Sequence, residues 1–162
     1  MSHDGHDPDW LHGHPHEPNP APPSPNAEFV LRLPGAEDIV IAVDELTELP
    51  RTVVADCLIV STGHGASGPF RFGGGTLRDL LRAYLPADFS WQHADVVSGD
   101  GFGNRVEAAE VNDPGMTRPI LLADTIDGRL LTRKEGLVRL IVPNELDDAL
   151  RQVKWVAEIR LS

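Results

Sequence analysis

The chain has 162 residues, 41% hydrophobic and 24% charged, which fits one globular domain with a core of its own. Its 25 acidic and 14 basic residues give a formal net charge of −11, which excludes non-specific binding to nucleic acid or to an anionic membrane surface. No apolar run approaches the roughly 18–20 residues of a membrane helix. The N-terminus shows no basic-then-apolar export pattern, and one cysteine cannot form an internal disulfide, so the expected location is the cytoplasm.

Residues 1–26 form a His- and Pro-rich arm. They hold five of the seven histidines, seven of the fourteen prolines, four acids and no Lys or Arg. With few apolar side chains to offset its ordering entropy, this arm is expected to be disordered or extended, with Trp10 and Leu11 as anchors. The folded domain is expected over 27–162. Phe29, Leu31 and Leu33 alternate with polar residues and predict a strand ending at Pro34-Gly35. Ile39, Ile41 and Val43 predict a second strand, Asp44–Leu49 a helical turn, and Arg51–Val60 a strand rich in β-branched residues. A glycine-dense loop is expected from Gly63 to Gly75. Thr76 can cap a helix whose Leu77, Leu80, Leu81 and Tyr84 share one face, and Pro86 stops it. Further strands are predicted at Ala94–Ser98, Arg105–Ala109, Ile120–Ala123, Leu137–Val142 and Val153–Leu161, with a tight hairpin at Asp127-Gly128. Many short strands with one good helix indicate an α+β domain of mixed β-sheets with few short helices.

Most isolated motifs have an ordinary explanation. Gly63-His64-Gly65-Ala66-Ser67-Gly68 has the spacing of a dinucleotide fingerprint, but no helix opens after it, so a site-lining loop is the better reading. His12, His14 and His16 could bind a metal weakly, on compositional grounds alone. Ser61, His64 and Asp100 could be imagined as a hydrolytic triad, but no nucleophile elbow surrounds Ser61. Cys57 reads as a small buried side chain, since nothing cationic flanks it in sequence to lower its pKa.

The order of several pieces is more specific than any one of them. Leu46 with Leu49-Pro50, Leu77-Arg78-Asp79-Leu80-Leu81, Ser98-Gly99-Asp100-Gly101-Phe102, Leu121-Leu122-Ala123, Asp127-Gly128, Arg139 with Val142-Pro143, and Val153-Lys154-Trp155-Val156 follow one another along the chain. In this order they resemble the molybdopterin-binding domain of the sulfite oxidase family, over residues 27–162. His14–Pro20 is similar to that family's His- and Pro-containing entry to the pterin site. The resemblance implies the sulfite oxidase-type fold and a molybdopterin or other pterin ligand. It places the ligand near Ser61, Gly63, His64, Asp100, Phe102, Arg139, Lys154 and Trp155: Arg139 and Lys154 as donors, Asp100 as acceptor, Phe102 or Trp155 as stacking surfaces.

Three departures from the family pattern shape the functional expectation. The family's metal-binding cysteine, two residues before a glycine, corresponds here to Ser61. Cys57 lies four residues earlier, about 13 Å away along a strand at ~3.3 Å per residue. The family's anion-binding arginine has no counterpart in residues 62–70, and Arg71 is the first candidate. Residues 144–150, before Lys154-Trp155, are acidic through Glu145, Asp147 and Asp148, which oppose a cofactor phosphate. The expectation is therefore a pterin-binding module without metal redox chemistry, with a small-molecule pterin as partner and no nucleic acid or membrane. One alternative is a molybdenum-cofactor oxidoreductase with Ser61 as metal ligand. Another is a scaffold whose acidic surface or Pro-rich arm docks on a protein.

Overall fold

The structure is a computed structural model that describes residues 28–61, 65–113, 115, 118–132, 135–143 and 151–162, with backbone alone at 59–61, 65–67 and 151. The arm, and with it His12, His14 and His16, lies outside the described residues, as do Gly63, His64 and the acidic segment 144–150.

The alternating run produces strand β1 (Glu28–Arg32), with Phe29 and Leu31 buried, which turns back into β2 (Ile39–Ala42). A 3-10 turn over Val43–Glu48 buries Leu46 and leads into a long hairpin of β3 (Thr52–Ser61) and β4 (Gly65–Thr76). The glycine-dense stretch expected as a loop is therefore mostly strand. Its glycines serve close approach: a Cβ on Gly74 would lie 2.1 Å from the Leu122 carbonyl oxygen, and one on Gly75 would meet Leu49 Cδ1 at 2.7 Å.

Helix α1 (Leu77–Tyr84) is capped as expected, with the Asp79 amide donating to Thr76 Oγ1 at 3.0 Å, and it buries Leu77, Leu80 and Leu81. Strands β5 (His93–Ser98) and β6 (Gly103–Glu107) follow, then a one-turn helix α2 (Ala108–Val111) that the sequence reading took as the end of a strand. Its start is a reciprocal cap between Glu107 and Glu110. Strand β7 (Leu121–Ile126) turns through Asp127 and Gly128, both at positive φ (50° and 87°), into the short β8 (Arg129–Leu130). The last two expected strands are three: β9 (Arg139–Val142), β10 (Arg151–Val153) and β11 (Val156–Leu161).

These strands make two sheets. The first has the order β2-β1-β11-β5-β6, with β1 and β11 parallel, and the second β10-β9-β7-β4-β3, with β8 added beside β7. The main core lies between them and under α1. Phe29, Val96 and Ile159 from the first sheet meet Leu122, Leu140 and Val142 from the second. Each such side chain, fully buried, contributes about 1.5–3 kcal/mol. Alternation sends the neighbouring residues to the other face of the second sheet. There Phe72, Leu121, Ala123 and Ile141 form a second core with Cys57 and Val54. Among the described residues no helix is long and apolar enough to cross a membrane.

Candidate ligand-binding site

The two sheets are joined where the chain passes from β10 to β11. Trp155 makes the crossing at φ +53°, and its burial to 3% exposure holds it there. Its amide donates to the Gly136 carbonyl at 3.1 Å, its carbonyl accepts from the Gly99 amide at 2.9 Å, and the Val156 amide donates to the Val138 carbonyl at 3.1 Å. Gly136 stands at φ +101°, and a Cβ there would lie 2.9 Å from Trp155 N, so only glycine permits the contact. Three segments distant in sequence are thereby held together: the Ser98–Phe102 turn, the Gly136–Val138 turn and Lys154-Trp155.

Arg139 leaves this junction on the face of the second core. It is 6% exposed, its guanidinium carbon lies 5.8 Å from the centroid of the Phe72 ring, and its Nε donates to the Glu135 carbonyl at 2.8 Å. The Glu135 carboxylate is engaged elsewhere, accepting from Arg129 at 2.6 and 2.7 Å and from the Thr132 amide at 3.0 Å. Those bonds, that of Arg129 foremost, bring its pKa down to about 2. Among the described residues no carboxylate forms an ion pair with Arg139. Burial accordingly lowers its pKa; the Glu135 charge opposes this and the Arg129 charge adds to it.

Lys154 continues β10 one residue beyond the Val153–Leu140 pair, which sets it across from Arg139. The side chain as a whole is exposed. Protein around its ammonium group still lowers the pKa, and the Arg139 charge lowers it further, against Asp100 and Glu135. Asp100 is half-buried in the Ser98–Phe102 turn, where its carboxylate accepts from the Phe102 amide at 3.3 Å. Phe102 is 38% exposed and offers an open aromatic face, whereas Trp155, expected as an alternative stacking surface, is buried.

The structure thus brings Asp100, Phe102, Arg139, Lys154 and Trp155 together. Ser61 is placed differently: its backbone pairs with Gly65 at the tip of the β3–β4 hairpin. Nine residues of β4, about 30 Å of strand contour, separate that tip from Gly74, which is level with Arg139 across Ala123.

Gln152, which the sequence reading passed over, shares the Lys154 side of β10, and its Oε1 is buried without a hydrogen-bond partner. Its signal was alternation: it stands two residues before Lys154 and so projects from the same face.

The surroundings of Cys57 also differ from expectation. Bulges on either side of it, and Asp56 at φ +57°, break the regular strand alternation of β3 around it. A cation does lie near it in space: Arg118 donates to the Pro143, Ala55 and Asp56 carbonyls at 2.6, 2.8 and 3.4 Å. Burial outweighs the Arg118 charge, so the thiol pKa is raised, with the Asp56 charge adding to the rise. Cys57 is fully buried. A neutral thiol packed in a core does not suit a metal that requires a thiolate. Among the described residues no group of three or more His, Cys, Asp or Glu side chains could hold a metal ion.

A model of the oxidoreductase molybdopterin-binding domain matches residues 18–162. The chain belongs to this family. Among solved structures it is similar to the sulfane dehydrogenase SoxCD from Paracoccus pantotrophus, with a TM-score of 0.62 and 19% identity over 83% of this chain. That likeness shows a shared fold, and this chain spans 37% of the SoxCD chain it matches. No curated protein matches the chain. The molybdopterin-binding family supplies a class of ligand for which the cations at the sheet junction suit the anionic end. The described side chains supply no thiolate for its metal.

Proposed function

We propose that this chain is a module that binds a pterin of the molybdopterin type without redox chemistry at a thiolate-held metal. The observation that carries the reading is Arg139, a guanidinium almost fully buried with no carboxylate partner among the described residues, beside a second cation, Lys154. An unbalanced buried charge is costly unless something of opposite sign offsets it, and a phosphate-bearing ligand would do so. Asp100 would accept from a pterin amino group, the Gln152 amide would gain a partner, and Phe102 would cover the ring. A cytoplasmic location belongs to the same proposal, supported by the single cysteine, which is free and buried.

Thermal-shift titration with reduced and oxidised pterins tests the proposal. At about 100 Kd of ligand a single site contributes ~2.7 kcal/mol, a rise of roughly 5–10 °C for a domain of this size. No shift with any pterin would sink it. Family membership supports a second reading equally: a molybdenum-cofactor oxidoreductase in which the Ser61 hydroxyl stands in the metal-ligand position. Metal analysis of protein made in a cofactor-competent host separates the two, since stoichiometric molybdenum supports the second reading alone.

A further inference from the structure

A groove of about 440 Å³ opens far from the sheet junction, lined by Arg78, Arg82, Pro86, Phe89, Trp91 and Asn112 among others. It lies beyond the opposite end of β5, because Trp91 precedes His93 while the ligand-site turn follows Ser98. Two observations set it apart from the rest of an acidic surface. Arg78 and Arg82, one helical turn apart on α1, form no ion pair among the described residues, although Asp79 and Asp88 are near in sequence. Beside them Phe89 and Trp91 are only partly buried and present an aromatic wall. Two free guanidiniums next to aromatic and proline surface suit an acidic segment that carries its own large apolar side chain.

We propose that the occupant is Asp7-Pro8-Asp9-Trp10-Leu11 of the chain's own N-terminal arm. The charges are complementary: residues 1–26 carry four acids and no Lys or Arg, so no Lys or Arg of the arm competes with Arg78 and Arg82 for Asp7 and Asp9. Trp10 and Leu11, the arm's adjacent large apolar side chains, match the aromatic wall and the half-buried Leu85. The reach is ample. Through β11, Glu28 stands level with the Ser98 end of the first sheet, so the arm must cross the sheet to the Trp91 end. That is about 20–25 Å, from five strand residues and two strand spacings. Trp10 lies 18 residues before Glu28, which can span up to about 60 Å.

Hydrogen exchange on the full chain tests this. Amides of residues 85–92 exchange slowly in the wild type and several-fold faster in D7K/D9K, in W10A and in R78E/R82E. Combining D7K/D9K with R78E/R82E restores the slow exchange, and tenfold dilution changes nothing. Unchanged exchange in D7K/D9K and W10A overturns the proposal, and so does a combined variant that fails to restore protection. Protection that falls on dilution also overturns it, since the occupant would then be another copy's arm. An unchanged urea-unfolding midpoint in the arm variants separates loss of protection from unfolding.

Discussion

Replacing Arg139 with methionine separates binding from stability. The substitution keeps most of the side-chain volume and removes the charge. It loses the hydrogen bond to the Glu135 carbonyl, about 1.5–3 kcal/mol for a charged donor, and the contact over Phe72, about 0.5–2 kcal/mol. It also removes the desolvation cost of a buried guanidinium without a carboxylate partner, several kcal/mol. These contributions nearly cancel, so R139M should unfold within about 1 kcal/mol of the wild type, a change in Tm below about 4 °C. Binding should respond very differently. Removing one partner of a buried charge pair costs about 2–5 kcal/mol, at least a ~30-fold rise in Kd. Urea unfolding and a pterin titration on the same two preparations give both numbers. A stability loss above about 3 kcal/mol with an unchanged Kd would refute the reasoning and make Arg139 a structural residue.

G74A should cost at least about 2 kcal/mol, because its Cβ would sit 2.1 Å from one backbone atom and 2.8 Å from another. G128A, at φ +87° with nothing within 4 Å, should cost only about 1 kcal/mol in the same denaturation assay. Tyr84 is the only tyrosine, so ultraviolet titration reads it directly; its hydrogen bond to Glu45 pushes its pKa up to about 12. The stability this lends is fully present below pH 10 and is lost as the pH rises to about 12, and E45Q should return the titration towards the ordinary tyrosine value. Cys57 should resist thiol reagents in the native protein and react once denaturant is added; rapid native labelling would show that the thiol is not held in the core.

Much of the fold was legible because its signals are local. The alternation of Phe29 and Leu31, the Thr76 cap and the Asp127-Gly128 turn each depend on a few adjacent residues, and each is found where expected. The glycine-dense stretch misled because glycine marks a turn and a close strand contact alike, and only the position of Leu122 decides between them. The break between β10 and β11 had no sequence marker, since a positive φ at a tryptophan is imposed by the Gly136 and Gly99 contacts around it. Arg139, Lys154 and Asp100 could be named in advance from the order of motifs, and the structure adds that they meet at one junction. Arg118 could not be placed near Cys57 from sequence, because the contact runs through the β3 bulges, which have no sequence signature.

The position of β11 carries a consequence for how the molecule is made. It lies at the centre of the first sheet, between β1 and β5, yet it follows every other described strand in the chain. A nascent chain that has emerged as far as Val153 holds β2-β1 and β5-β6 as two unjoined hairpins, each with an open edge where β11 belongs. The first sheet can close only once β11 has been made. Until then those edges are exposed to pairing with a neighbouring chain, a hazard set by strand order alone.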